Sequence, residues 1–259
     1  MNQPDPPADQ EPTLAPAFYA QPGFVSRPVL RDWWTLLHPP YTLWHLSYVV
    51  IGACLVGPVD SRRLGATVLA FFLAVGIGAH ALDELHGRPL STSIPSRVLV
   101  VAATIGIGGA AVIGVIGVAS VGLPLIGFIV VGVVLAIAYN LELFSGLLHT
   151  DAVFAAAWGA FPLVTSYYAQ HERLDVAALA AAVFAFFLSS AQRFLSTPAR
   201  LLRRRTSEVR GTIVRNDGTA TDIERSTLLA PLERALRALS WATVSLAAAF
   251  ALARLRPWP

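Results

Sequence analysis

Apolar residues run along this chain in long blocks, broken by short groups of charged residues, proline and glycine. The stretch from Val98 to Leu141 holds 44 residues without a charge. A helix rising 1.5 Å per residue needs only about 20 residues to cross a bilayer core, so this stretch predicts two spans. The whole pattern predicts seven, over 41–59, 64–85, 97–119, 122–143, 151–170, 174–195 and 235–255. The last is the shortest, with 16 uncharged residues between Arg237 and Arg254, and it relies on arginine side chains reaching to the interface. Trp33, Trp34 and Tyr41 before the first span and Trp258 after the last read as anchors at the headgroup level.

Composition agrees with a polytopic membrane protein: 55% hydrophobic residues, 14% charged and a mean hydropathy of +0.59. It excludes a collagen, a disulfide scaffold, a disordered chain and a cytosolic enzyme. Cys54 is the single cysteine, so no internal disulfide can form. The net charge of +3 is carried by arginine, which supplies all 19 cations and flanks the apolar runs. That placement is a topology signal rather than a nucleic-acid footprint. Alternating the loops puts 14 arginines on one side and five on the other. The expectation is a multi-pass cell-membrane protein with a cytoplasmic N-terminus and an external C-terminus. Residues 1–30 form a Pro-rich cytoplasmic tail, expected to be disordered and without a cleavable signal peptide. Residues 31–259 form the transmembrane helical bundle, with a cytoplasmic loop at 197–237.

Within the bundle, Gly106, Ala110 and Gly114 recur every fourth residue and predict a close helix–helix approach. The loop carries Arg200, Arg203, Arg204 and Arg205, then an Asn216-Asp217-Gly218 turn signal. Beyond it, Leu228, Leu229, Leu232, Leu236 and Leu239 recur at helical spacing, as in a helix lying on the membrane surface.

Charged groups at membrane depth are costly and therefore mark chemistry. The richest group runs from His80 to Pro89, at the cytoplasmic end of the second span. His80, Asp83 and Glu84 stand at i, i+3 and i+4 on one helix face, where imidazole and carboxylates can converge on a cation; a solvated helix end is the alternative. Tyr139, Asn140, Glu142, His149 and Asp151 form a second group on the same side, where Tyr139 also suits the interfacial belt and Asp151 a helix start. Gln192, Arg193 and the arginines from Arg200 to Arg205 form a third, able to fork onto phosphate but also demanded by topology. His38, His45, His171 and Cys54 are weaker candidates.

Three segments across residues 30–205 resemble the UbiA superfamily of intramembrane prenyltransferases. Arg31 to Leu55, with Leu37-His38-Pro39-Pro40-Tyr41-Thr42-Leu43, is similar to the Arg-Pro-x-Thr-Leu opening of that family's first helix. His80 to Pro89 falls where the family carries Asn-Asp-x-x-Asp-x-x-x-Asp and then Arg-Pro; Asp83 matches the middle Asp and Arg88-Pro89 the Arg-Pro. Tyr139 to Pro162, with Gly159-Ala160-Phe161-Pro162, resembles the family's Tyr-Ser turn and the Gly-x-x-Pro of its fifth helix. Ala79 and His80 stand in place of the Asn-Asp, and Gly87 in place of the third Asp. The second Asp-rich motif has no counterpart, since no carboxylate follows Arg193 before Glu208.

The resemblance implies an all-α, UbiA-like bundle around a lipid-accessible cavity, with Mg²⁺ and a prenyl diphosphate bound at the cytoplasmic helix ends. The expected function is that of a divergent membrane prenyltransferase. His80 and Asp83 would be catalytic, and Asp83, Glu84 and Asp151 would hold the metal. Arg88, Tyr139, Asn140, His149, Arg193 and Arg203 would bind substrate. Its partners would be a prenyl diphosphate, an unidentified acceptor and the lipid bilayer, with no nucleic acid. The alternative is a non-catalytic relative that binds a polyprenyl lipid or assists a partner enzyme, as the low carboxylate count favours. A small transporter lacks the midspan charges and paired broken helices such a protein uses.

Overall fold

The computed structural model describes residues 27–255, and the Pro-rich tail through residue 26, Arg256 and Trp258 lie outside them. Pro28 opens α1 (Pro28–Leu37), and Pro39 opens α2 (Pro39–Cys54). Between them His38 takes a left-handed conformation, φ 44°, which breaks the helix, and the prolines suit the first turn of α2. The remaining helices are α3 (Ser61–Leu85), α4 (Ser96–Val121), α5 (Leu125–Asn140), α6 (Asp151–His171), α7 (Val176–Arg204) and α8 (Arg225–Leu255). A short antiparallel hairpin, β1 (Gly211–Val214) and β2 (Ala220–Ile223), separates α7 from α8.

Five helices, α3, α4, α6, α7 and α8, are long and apolar enough to cross a membrane, with 25, 26, 21, 29 and 31 residues. The seven expected runs are all helical, but α2 and α5 have 16 residues each. At about 24 Å they are shorter than a hydrocarbon core of about 30 Å, so five helices are long enough to span by length and two are short. The outer surface of the bundle is apolar, with Ile116, Phe187 and Trp241 70%, 66% and 63% exposed, and polar residues such as Ser189, Gln192 and Thr243 are buried among its apolar core clusters.

The loop expected at 197–237 is also corrected. α7 continues to Arg204 with Pro198 inside it, and α8 begins at Arg225 with Pro231 inside it. The amphipathic leucine segment is therefore the first part of the last long helix, not a separate surface helix. Arg215 and Thr219 close the hairpin around the Asn216-Asp217-Gly218 turn, where Gly218 has φ 84°.

Helix ends gather at two poles. At one, Asp60 and Gln170 exchange hydrogen bonds of 3.0 and 3.1 Å, and Arg63 pairs with Glu172 at 2.8 Å while donating to the carbonyls of Ala169, Gln170 and Ser120. Arg254 donates to the carbonyls of Cys54 and Leu55, filling acceptors left open where α2 ends. Asp60 and Asp175 cap α3 and α7 at this pole by accepting backbone N–H bonds. Those N–H donors from Arg63 and Arg62 hold the Asp60 carboxyl below its usual range. The start of α2 and the adjoining ends of α3, α5, α6, α7 and α8 meet at the opposite pole, around a chamber.

Candidate functional site

This chamber has a volume of about 630 Å³ and brings together residues from all three polar groups of the sequence. His80 and Asp83 reach it from α3, Tyr139 and Asn140 from α5, His149 from the following turn, and Arg193 and Arg203 from α7. Arg88, Glu84 and Asp151 do not line it. Arg88 instead ties down the connection after α3, donating to the Ile94 carbonyl at 2.6 Å and the Ser96 hydroxyl at 2.7 Å. Glu84 is fully buried and accepts from the amides of Leu90 and Thr92 and the Thr92 hydroxyl at 2.8 to 2.9 Å. Asp151 pairs with Arg193 at 2.8 Å, and that guanidinium also lies over the Phe154 ring.

Among the described residues no group of three His, Cys, Asp or Glu side chains is placed to hold a metal ion. The expected ligands Asp83, Glu84 and Asp151 are not brought together: Asp83 lines the chamber, and Glu84 and Asp151 do not. The reason lies in rotation about α3. Asp83 lines the chamber, whereas Glu84, one residue further round, serves the connection to α4. Of the remaining chamber carboxylates, Glu142 lies between His86 at 3.8 Å and His149 at 3.7 Å, and Glu233 pairs with Arg203.

Arg200 and Arg204 also line the chamber, and neither makes an ion pair among the described residues. The Nε of Arg204 is buried without a hydrogen-bond partner. At the junction of α1 and α2, burial holds the His38 imidazole well below its usual pKa, and the positive fields of His80, Arg204 and Arg200 lower it further. Arg200 and Arg204 therefore bring positive charge to a wall that they share with the chamber carboxylate Asp83, with no ion pair formed among the described residues.

Two walls are π-helical turns, Phe72–Ala79 within α3 and Ala156–Ala160 within α6. Their wider i→i+5 turn interrupts the α-helical ladder, a feature concentrated at functional sites. Each supplies a carbonyl to a chamber histidine: Gly76 to the Nδ1 of His80 at 3.2 Å, and Trp158 to the Nδ1 of His45 at 2.7 Å. A carbonyl can only accept, so both imidazoles carry a proton on Nδ1, and in the neutral form Nε2 offers a lone pair. His149 stacks on Tyr139 with ring centres 4.5 Å apart.

Sequence reasoning ranked His38 and His45 low and passed over the chamber role of Tyr41. The signal was present: positions 38, 41 and 45 follow i, i+3, i+7 spacing, which puts them on one face as α2 begins. Gln192, buried at 3% exposure, donates to the Tyr41 hydroxyl and ties α7 to that face.

A second, apolar cavity of about 640 Å³ runs between α3, α4, α5 and α6 toward the opposite pole. Ala70, Ala110, Gly114, Ile129 and Gly132 are among its walls, and Arg63 and Ser120 stand at its far end. Val75 and Trp158, one from each π-helical turn, line both cavities. Comparison with family models, curated proteins and solved structures finds no match to this chain.

Proposed function

We propose that this protein is a divergent UbiA-like membrane prenyltransferase. It takes a prenyl diphosphate with the diphosphate in the chamber and the isoprenoid chain in the apolar cavity. The observation that carries this reading is the adjacency of the two spaces, which share Val75 and Trp158 as a common wall and set an arginine-lined volume beside one lined by apolar side chains. An amphiphile with an anionic head and a thin chain has that shape. The motif resemblance around Asp83, Arg88-Pro89 and Gly159 to Pro162 names the chemical class.

In this reading Arg193, Arg200 and Arg204 face the diphosphate oxygens, and Arg203 secures the wall through Glu233. In transfer, the bond from the prenyl carbon to the diphosphate oxygen breaks and its electron pair leaves with the diphosphate. The acceptor supplies the pair for the new bond, and its proton passes to Nε2 of His80. Asp83, on the same wall, would stabilise the resulting imidazolium. A prenyl-lipid binding protein without turnover is the second reading, and the unassembled carboxylate set favours it.

The test is binding to the purified full chain in lipid nanodiscs, comparing geranylgeranyl diphosphate with geranylgeraniol. Charge-assisted hydrogen bonds contribute about 1.5 to 3 kcal/mol each, so the alcohol, lacking two of them, is expected to bind about 10² to 10⁴ times more weakly. Equal affinity would assign the arginines to topology alone. Tight, selective binding without turnover across aromatic and polar acceptors would select the binding-protein reading.

Orientation belongs to the same proposal, with the chamber on the cytoplasmic side as the 14 to five split of arginines favours. Ser91 is exposed on the connection after α3, and Arg210 just before β1. On a Cys54→Ala background, cysteines placed at 91 or 210 are expected to resist an impermeant thiol reagent added to intact cells. Labelling from outside would reverse the orientation.

A further inference from the structure

We infer that the apolar cavity admits a prenyl chain of about three to four five-carbon units, and that the Arg63 guanidinium is the floor that stops a longer one. This deepens the prenyl diphosphate reading above and rests on it.

The cavity is a slot parallel to the helices, because α3, α4, α5 and α6 each contribute a lining residue at every turn. Val75 and Trp158 mark the end that borders the chamber, and Arg63, Ser120 and Ala169 mark the opposite end. Twelve residues of α3 separate Val75 from Arg63 and eleven of α6 separate Trp158 from Ala169, a depth of about 17 Å at about 1.5 Å per residue. A five-carbon unit adds four carbon–carbon bonds of about 1.5 Å to the chain, an extended advance of about 5 Å. With the reacting carbon at the shared wall, the slot therefore holds about three to four units.

The floor is built across the slot. Arg63 leaves α3 and donates to the carbonyls of Ala169 and Gln170 near the end of α6 and of Ser120 near the end of α4, and it pairs with Glu172 at 2.8 Å. One guanidinium thus joins three of the four helices that line the slot, with Asp60 and Arg62 beside it. A chain tip pushed further has to part these hydrogen bonds and set apolar carbon against charged groups, and it gains no contact that repays either. Small side chains such as Ala70 and Ala110 keep the slot open between its ends. Ala70 lies five residues from Val75, about 7.5 Å along α3, so a large side chain there leaves room for about one to two units.

The experiment is competition against labelled geranylgeranyl diphosphate bound to the full chain in lipid nanodiscs. The competitors are geranyl, geranylgeranyl and hexaprenyl diphosphate, with two, four and six units, compared at equal mole fraction in the bilayer so that partition into lipid cancels. Hexaprenyl diphosphate is expected to compete about tenfold or more weakly than the geranylgeranyl compound. Ala70→Phe is expected to weaken geranylgeranyl diphosphate by about tenfold or more while geranyl diphosphate stays within about threefold of its wild-type value. Arg63→Leu opens the floor and is expected to bring hexaprenyl diphosphate within about threefold of geranylgeranyl diphosphate. If that variant does not fold, Ala70→Phe still decides between a closed slot and an open one. Equal competition by four and six units in the wild type, or equal loss of geranyl and geranylgeranyl diphosphate in Ala70→Phe, overturns the inference and leaves the diphosphate reading standing. Failure of every prenyl diphosphate to bind overturns both.

Discussion

Replacing Glu84 with glutamine is expected to destabilise the folded protein by about 2 to 4 kcal/mol and to loosen residues 86–95. The Glu84 carboxylate is fully buried and accepts three hydrogen bonds, from the amides of Leu90 and Thr92 and from the Thr92 hydroxyl. Glutamine keeps the length but replaces one oxygen with a donor, so at least one buried N–H or O–H is left unsatisfied and the others lose their charge assistance. The same connection is held by Asp32, which accepts from the Ser93 amide at 2.8 Å, and by Arg88. Local opening rather than global unfolding is therefore the first expected consequence. Thermal unfolding in detergent and hydrogen exchange at Leu90 and Thr92 would read the two effects. Unchanged melting and protection would return Glu84 to the list of free carboxylates and reopen a metal role for it.

Gly106→Leu is expected to cost about 3 kcal/mol or more and to force α3 and α4 apart. A Cβ at this position would stand 2.6 Å from the Leu73 carbonyl oxygen and 2.7 Å from the Gly78 nitrogen. Both are backbone atoms, which cannot swing aside as a side chain can. Moving them disturbs the π-helical turn Phe72–Ala79, and with it Val75 in the wall shared by the two cavities. The variant should therefore lose geranylgeranyl diphosphate affinity as well as stability. Gly108, which meets nothing within 4 Å, is the matched control: Gly108→Leu is expected to leave the melting temperature within a few degrees of wild type. Equal destabilisation by the two changes would show that helix propensity, not the α3–α4 contact, sets the cost at position 106.

These contacts divide what was legible in the residues from what was not. The Gly106, Ala110 and Gly114 stripe announces close approach, but not that it serves two neighbours. Gly106 meets α3, whereas a Cβ at Gly114 would stand 2.8 Å from Ile129 of α5, with Ala110 lining the apolar cavity between. The π-helical turns left no comparable signal. Their sequences, Phe72–Ala79 and Ala156–Ala160, are apolar residues as suitable for an α-helix, and only packing against the neighbouring helices selects the wider turn.

The helical runs and the short stretches where polar chemistry gathers follow from the order of the residues alone. Each depends on spacing along a single helix or on the cost of placing charge in lipid. That order also put His80, Asp83, Tyr139, Asn140, His149 and Arg193 among the residues that meet, because helices of alternating direction return their polar ends to one side. Which of those side chains remain available depends on how the helices pack. Glu84 and Arg88 hold the α3–α4 connection, Asp151 holds Arg193, and Glu233, more than two dozen residues away along the chain, holds Arg203. A carboxylate's partner is set by helix rotation and by contacts between residues far apart in sequence, neither of which a periodic pattern encodes. Arg200, Arg204 and Arg205 differ from Arg193 and Arg203 among the chamber cations for the same reason. Their chemistry is that of every other arginine in the chain, and what distinguishes them is the partner the fold did not provide.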